Sequence, residues 1–278
     1  MLGRIEDLRQ GYHRRICRDV LRQKADGTPN NADSSSAASV RLGKGIVKNI
    51  GMRTGKKKLA GQTAGHQFEA ATKDFLRDAF GLLSHLRPGK WDFSLGGNIR
   101  DYEQYLHLSD VRRVVDEHEE LRIIFGDYIV TPDIVVCRKP VADSEINKKE
   151  VLVNDDGTAS HTPLRQANSQ ADIMHASVSC KWTIRSDRSQ NARTEGLNLV
   201  RNRKGKTPHI VVVVGEPLPS RIASLAYGTG DIDCVYHFAL RELTAAASDN
   251  DSDADLLRTL VTGRRLRDIS DLPFDLAT

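Results

Sequence analysis

The feature that most constrains this fold is the run HIVVVV, residues 209–214, with five consecutive aliphatic residues from Ile210 to Val214. Such a run carries no polar alternation, so it reads as a strand buried on both faces, and such strands belong to sheets covered by helices on each side. The neighbouring sequence supports this. Strand patterns at 128–138, 150–153, 173–184 (ending near Lys181) and 233–236 alternate with helical patterns at 187–203, 219–227 and 238–247. Strands alternating with helices predict an α/β core built on a mixed sheet. Upstream, apolar residues recur at helical spacing over 3–24 and 64–84, a further helix is expected over 101–120, and residues 25–37 and 154–171 read as loops. A chain of 278 residues can form one large α/β domain, and neither an internal repeat nor a two-domain linker interrupts it. The expected organisation is one domain, with a helical N-terminal region over about 1–120 and an α/β core over about 121–278.

A mean hydropathy of −0.44 excludes a membrane-embedded chain, and the five-residue aliphatic run is far short of the about 20 residues a spanning helix needs. The opening MLGRIEDLRQ has no apolar stretch of the secretory kind, and Cys17, Cys137, Cys180 and Cys234 are dispersed without a CxxC pair. Both features fit a reducing cytoplasm, with Cys137 and Cys234 as core thiols. The net charge of +4 hides a strong segregation. Residues 41–58 hold seven basic residues, Lys56–Lys58 among them, and no acid; residues 179–209 hold eight basic residues against Asp187 and Glu195. These two windows suit a polyanion, because neutralising phosphates releases counterions; clustered solvated lysines are the plainer reading.

The residues that carry chemistry are Pro132-Asp133 on one strand, Ser179-Cys180-Lys181 on a later one, and Glu195 in the helix that follows. Carboxylates suit Mg²⁺, a hard cation that takes oxygen ligands. A lysine beside them positions an attacking water and offsets charge on a phosphorane-like transition state. The common nuclease pattern has an acid two residues before the lysine; here that place is taken by Ser179, and Glu195 offers a replacement from the helix. Arg185-Ser186-Asp187-Arg188 opens that helix. Ser186 or Asp187 would cap it, while the arginines and the aspartate would read guanine and cytosine edges in a major groove. Arg188 and Glu195 lie seven residues apart, two turns or about 10.5 Å along the helix, so base reading and metal geometry would move together.

Taken as a set, HASVSCKWTIRSDRSQNARTEGLNLVRNRKGKTPHIVVV, GQTAGHQFEA, TPDIVV, GTGDIDCVYHFAL and RLRDISDLPFDLA resemble the CCGG family of type II restriction endonucleases, the branch of the PD-(D/E)XK superfamily with a relocated carboxylate. The resemblance is collinear along most of the chain. It implies a single restriction-endonuclease-like domain, and a homotetramer (a dimer of dimers) that cuts double-stranded DNA with two Mg²⁺ per active site. It also implies a partner methyltransferase in the same host. At matching positions it implies Asp133, Lys181, Glu195 and Glu69 as catalytic residues, with Ser179 beside them, and Asp133, Glu195, Glu69 and the Cys180 carbonyl as metal ligands. It assigns Arg185, Asp187 and Arg188 to the GGC half of GCCGGC, Gln62 and Ser35 to the minor groove, and Asp33 and Arg221 to the outer C·G pair. A hexameric site cut as G^CCGGC with a 5′-CCGG overhang follows.

Two other classes compete with a DNA-cutting enzyme. A catalytically silent DNA-binding protein of the same fold would have no use for a clustered metal site. An RNA-processing nuclease would not read through the narrow A-form major groove. The alternating Asp249, Asp251, Asp253 and Asp255 imitate a calcium loop but lack its glycine and terminal glutamate, with Ala254 and Leu260 in their places.

Overall fold

In a computed structural model, residues 3–55, 59–118, 120, 123, 130–184, 186–228, 230–247 and 252–278 are described, with backbone alone for 186–189. Six strands form one sheet in sequence order: β1 (Trp91–Leu95), β2 (Ile134–Arg138), β3 (Ile173–Lys181), β4 (His209–Val214), β5 (Cys234–His237) and β6 (Leu266–Asp268). The first two pairings are antiparallel and the last three parallel, so the sheet is mixed. As the aliphatic run requires, β4 lies inside the sheet between two parallel neighbours, with Ile210–Val214 all buried.

Helices cover the sheet. α1 (Arg4–Arg15) passes into a π turn (Ile16–Val20), and α2 (Ala37–Ile50), α3 (Gly61–Leu82) and α4 (Leu108–Glu117) complete the N-terminal layer. A short α5 (Asp143–Ile146) precedes β3; α6 (Ser186–Asn202), α7 (Pro219–Ala226), α8 (Leu240–Ala246), α9 (Ser252–Thr262) and α10 (Leu272–Asp275) follow it. α3 buries Ala64, Phe68, Ala71, Phe75, Leu76, Ala79 and Phe80, the spacing of one helical face. Phe68 meets Trp182, just beyond β3, with ring centroids 5.0 Å apart. This contact sets the face of α3 that holds Glu69 over the end of β3. Among the described residues no helix is long and apolar enough to cross a membrane, and the four cysteines are free and buried.

Several expected elements differ. Residues 150–153 form no strand: Asn147 Oδ1 accepts the backbone N–H groups of Leu152 (2.9 Å) and Val153 (3.0 Å), so a side chain satisfies them locally. The helix expected over 101–120 is broken. Tyr102 bridges to Asp172 and the Glu103 N–H donates to the Asp172 carbonyl (3.0 Å), which leaves two 3₁₀ turns before α4. The helix expected over 3–24 stops at the π turn, where Leu21 is already extended. Lys56–Lys58, the start of the 128–138 strand, Asp249 and Asp251 lie outside the described residues.

The N-terminal layer is pinned by a buried ion cluster. Arg9, 2% exposed, donates to both carboxylate oxygens of Asp268 (2.8 Å each) and of Glu242 (2.9 and 2.6 Å). Burial pushes both carboxyls up, but the bonds from Arg9 outweigh it and hold both below their ordinary values. Carboxyls lowered in this way stabilise the fold at neutral pH, and that contribution is lost as pH falls through the lowered values. Arg9→Met strands two carboxylates and is expected to cost about 3–5 kcal/mol at pH 7. Chemical denaturation at pH 7 checks this; an unchanged midpoint contradicts it.

Candidate active site and nucleic-acid interface

The register of the sheet brings the proposed catalytic residues together. Ile134 of β2 pairs with Val178 of β3, so Asp133, one residue earlier on an antiparallel strand, falls level with Ser179. Asp133 Oδ2 accepts the Cys180 backbone N–H (2.7 Å), the Lys181 ammonium (3.2 Å) and the Ser179 hydroxyl (3.3 Å). Alternation along β3 puts Ser179 and Lys181 on one face and sends the Cys180 thiol the other way, into the core, where burial raises its pKa well above the ordinary thiol value.

α3 and α6 close the site from above. Asp133, Lys181, Glu69, Glu195 and Gln62 all line one cavity of about 500 Å³, as does the residue Cys180. Three carboxylates thus face one lysine. Burial raises the Glu195 carboxyl, Lys181 opposes that, and Asp133 adds to it. Burial likewise raises Glu69, with Asp133 adding repulsion and His66, 3.5 Å away, opposing. Carboxylates that resist ionisation because of burial and of one another are what a divalent cation relieves. Among the described residues no three His, Cys, Asp or Glu side chains converge tightly enough to hold an ion unaided.

A larger cleft of about 1370 Å³ adjoins the first through Asn30, Leu59 and Thr183. It collects Asp33, Ser35 and Arg221, and Ile184 brings to its wall the chain that enters the 185–188 segment. Asp33 Oδ1 accepts the Ser35 N–H (2.9 Å) and hydroxyl (2.7 Å), while Oδ2 pairs with Arg221. The Ser35 bonds first, and then Arg221, hold the Asp33 carboxyl down at about 2. Glu216, fully buried, accepts the N–H groups of Ile184 (2.9 Å) and Leu218 (3.2 Å) and fixes the approach to that segment. Arg185 and the side chains of Asp187 and Arg188 lie outside the described residues; the α6 backbone begins at Ser186.

The structure therefore groups Asp133, Ser179, Cys180, Lys181, Glu195, Glu69 and Gln62 at one site and Asp33, Ser35 and Arg221 beside it. Asn30, His66 and Asn191, which also line the cavity, and the buried Glu216 beneath the neighbouring cleft were not singled out from sequence. Asn191 had a signal, since it falls one helical turn before Glu195; the others had none.

Comparison with known proteins gives the family. The profile of the family described as NgoMIV restriction enzyme matches residues 12–278. The type II restriction enzyme NgoMIV of Neisseria gonorrhoeae is 49% identical over 278 residues, covering 97% of each chain. Among solved structures, a complex of the restriction endonuclease PspGI with substrate DNA has a TM-score of 0.36 at 16% identity, over 77% of this chain and 60% of that one. The type IIF restriction endonuclease Bse634I with cognate DNA has a TM-score of 0.33 at 11% identity, over 100% of this chain and 93% of that one. These two likenesses are too slight to argue from. The profile and the sequence identity run nearly end to end, and on that ground the chain belongs to the NgoMIV family of type II restriction enzymes.

Proposed function

We propose that this type II restriction endonuclease hydrolyses double-stranded DNA at GCCGGC, cutting as G^CCGGC to leave 5′-phosphate ends and a 5′-CCGG overhang, and that it requires Mg²⁺, two ions per active site. The observation that carries the reading is Asp133, held at Oδ2 by Ser179, Cys180 and Lys181 while Glu195 and Glu69 line the same cavity. Asp133, Glu195, Glu69 and the Cys180 carbonyl would hold the metal, which when bound polarises the phosphate and lowers the pKa of an attacking water. Lys181, whose Nζ lies 3.2 Å from Asp133, would orient that water and offset charge building on the phosphate. The Cys180 N–H and the Ser179 hydroxyl fix the Asp133 carboxylate so that it need not reorganise during the reaction. Incubating the protein with GCCGGC plasmid and Mg²⁺, and then with EDTA in excess, tests the reading. Cleavage that EDTA abolishes supports it; sequence-specific binding without cleavage points instead to a catalytically inactive DNA-binding protein of the same fold.

Base reading falls to Arg185, Asp187 and Arg188 for the inner pairs, to Asp33 and Arg221 for the outer pair, and to Gln62 and Ser35 from the minor groove. Arg185→Ala and Arg188→Ala are each expected to lose about 1–3 kcal/mol of discrimination per half-site. Competition binding in Ca²⁺ against a one-base-pair mismatch measures it; wild-type discrimination removes that residue from the reading.

A palindromic site calls for at least a two-fold dimer, and the reading extends this to a homotetramer, a dimer of dimers, with a partner methyltransferase protecting host DNA in the cytoplasm. A one-site plasmid should then be cut slowly and be accelerated by a cognate duplex added in trans. Equal rates on one-site and two-site plasmids, with a dimer mass in light scattering, contradict the tetramer.

A further inference from the structure

Arg193 belongs to the basic stretch that charge alone directs at a polyanion, yet its guanidinium is used inside the protein. Its Nε and Nη2 both donate to the Ser224 carbonyl (3.2 and 3.1 Å), Nη2 also reaches the carbonyls of Leu225 (3.2 Å) and Tyr227, and Nη1 donates to both oxygens of Asp231 (3.3 and 2.9 Å). Those carbonyls are at the C-terminal end of α7, where helix carbonyls lack intrahelical donors and a cation is favoured. Three residues on, and so on the same face of α6, Gly196 is pressed against the same segment. A Cβ there would stand 2.3 Å from the Asp231 carbonyl oxygen. Glu195 lies between these two contacts in sequence, and α7 carries Arg221 into the adjoining cleft.

We infer that Arg193 is a positioning residue for cleavage: it locks α6 onto the end of α7 and thereby fixes Glu195 relative to Asp133 and Lys181. The inference rests on the nuclease reading above. The planar fork of arginine, with donors fixed in direction, serves such a junction; a lysine of equal charge presents a single point. A phosphate contact would behave in the opposite way, because there charge counts more than fork geometry, and each phosphate neutralised adds about 0.9 to the slope of log affinity against log salt on B-DNA.

Full-length Arg193→Lys, Arg193→Met and Asp231→Asn are compared with the wild type on a GCCGGC duplex. Single-turnover cleavage is read in Mg²⁺, affinity is read in Ca²⁺ from about 50 to 200 mM salt, and each protein's thermal midpoint is recorded. Arg193→Lys is expected to cut about 10–100-fold slower, the scale on which a group that orients an active-site ligand matters, with affinity and salt slope unchanged. Asp231→Asn, which removes only the charge partner, should slow cleavage about tenfold with the same slope. Wild-type cleavage by a folded Arg193→Lys, or a salt slope reduced by about one in Arg193→Met, overturns the inference. If the Arg193 variants do not fold, Asp231→Asn decides: a wild-type rate overturns it. If the wild type itself does not cut, it is the nuclease reading that fails, and this inference with it.

Discussion

Asp133→Asn is expected to reduce cleavage at least about 1,000-fold and to leave DNA binding intact. The substitution is nearly isosteric, and the new amide oxygen can still accept the Cys180 N–H that Asp133 Oδ2 accepts at 2.7 Å. What it removes is the negative charge between Lys181 and the two other carboxylates of the cavity. A bound metal supplies several kcal/mol of transition-state stabilisation, and each 1.36 kcal/mol is about tenfold in rate, which sets the size of the loss. Binding is spared because the residues assigned to base reading, Arg221 and Asp33 among them, line the neighbouring cleft instead. Plasmid cleavage in Mg²⁺ and a mobility shift in Ca²⁺ separate the two effects. A folded Asp133→Asn that no longer binds GCCGGC specifically contradicts the assignment.

The parts of this fold legible in sequence are those whose pattern is local. β4 is visible because five aliphatic residues have no other use, and α6 because helical spacing runs on from the Ser-Cys-Lys strand. α2 carried an equally local signal that basic residues obscured. Ser36 caps it through the Ser39 N–H, Leu42 and Ile46 are buried one turn apart, and Gly51 ends it with a φ of +69°. β1 and β6 are different. Each is an edge strand, WDFSL only half-buried and LRD three residues long, and each is a strand because of a partner distant in sequence. Residues 150–153 show the converse: Val151 and Val153 favour a strand, but the backbone there is satisfied by the Asn147 side chain and forms none.

The site divides in the same way. Asp133, Lys181 and Glu195 could be found from residue type, order and strand context, and Glu69, Gln62, Asp33 and Arg221 only through family resemblance. Arg193 shows where charge counting stops: sequence gives the cation, but apart from Asp231 its partners are backbone carbonyls, which every residue has. Glu216 is a related case, a glutamate in a Gly-Glu-Pro turn whose burial follows from the paths of three separate segments.

The relocated acid gives the sharpest test of the catalytic arrangement. Glu195→Ala is expected to be nearly inactive while still binding DNA, because it removes a carboxylate from the cavity proposed to hold the metal and nothing from the cleft beside it. Adding Ser179→Glu in that background returns a carboxylate to β3. Ser179 is the place for it: its hydroxyl already touches Asp133 at 3.3 Å, and it shares the face of Lys181. The double variant keeps the number of carboxylates near the lysine, and the alanine vacates volume for the longer side chain. Some Mg²⁺-dependent cleavage should return at the same phosphodiester bond. Recovery should be partial, because a catalytic group displaced by about 1 Å costs on the order of 100-fold. Ser179→Glu alone puts a fourth carboxylate beside a Glu195 whose ionisation burial already resists, and should impair the enzyme. If Glu195→Ala cleaves at the wild-type rate, Glu195 is no part of the chemistry, and the metal ligands must be sought among Asp133, Glu69 and the Cys180 carbonyl.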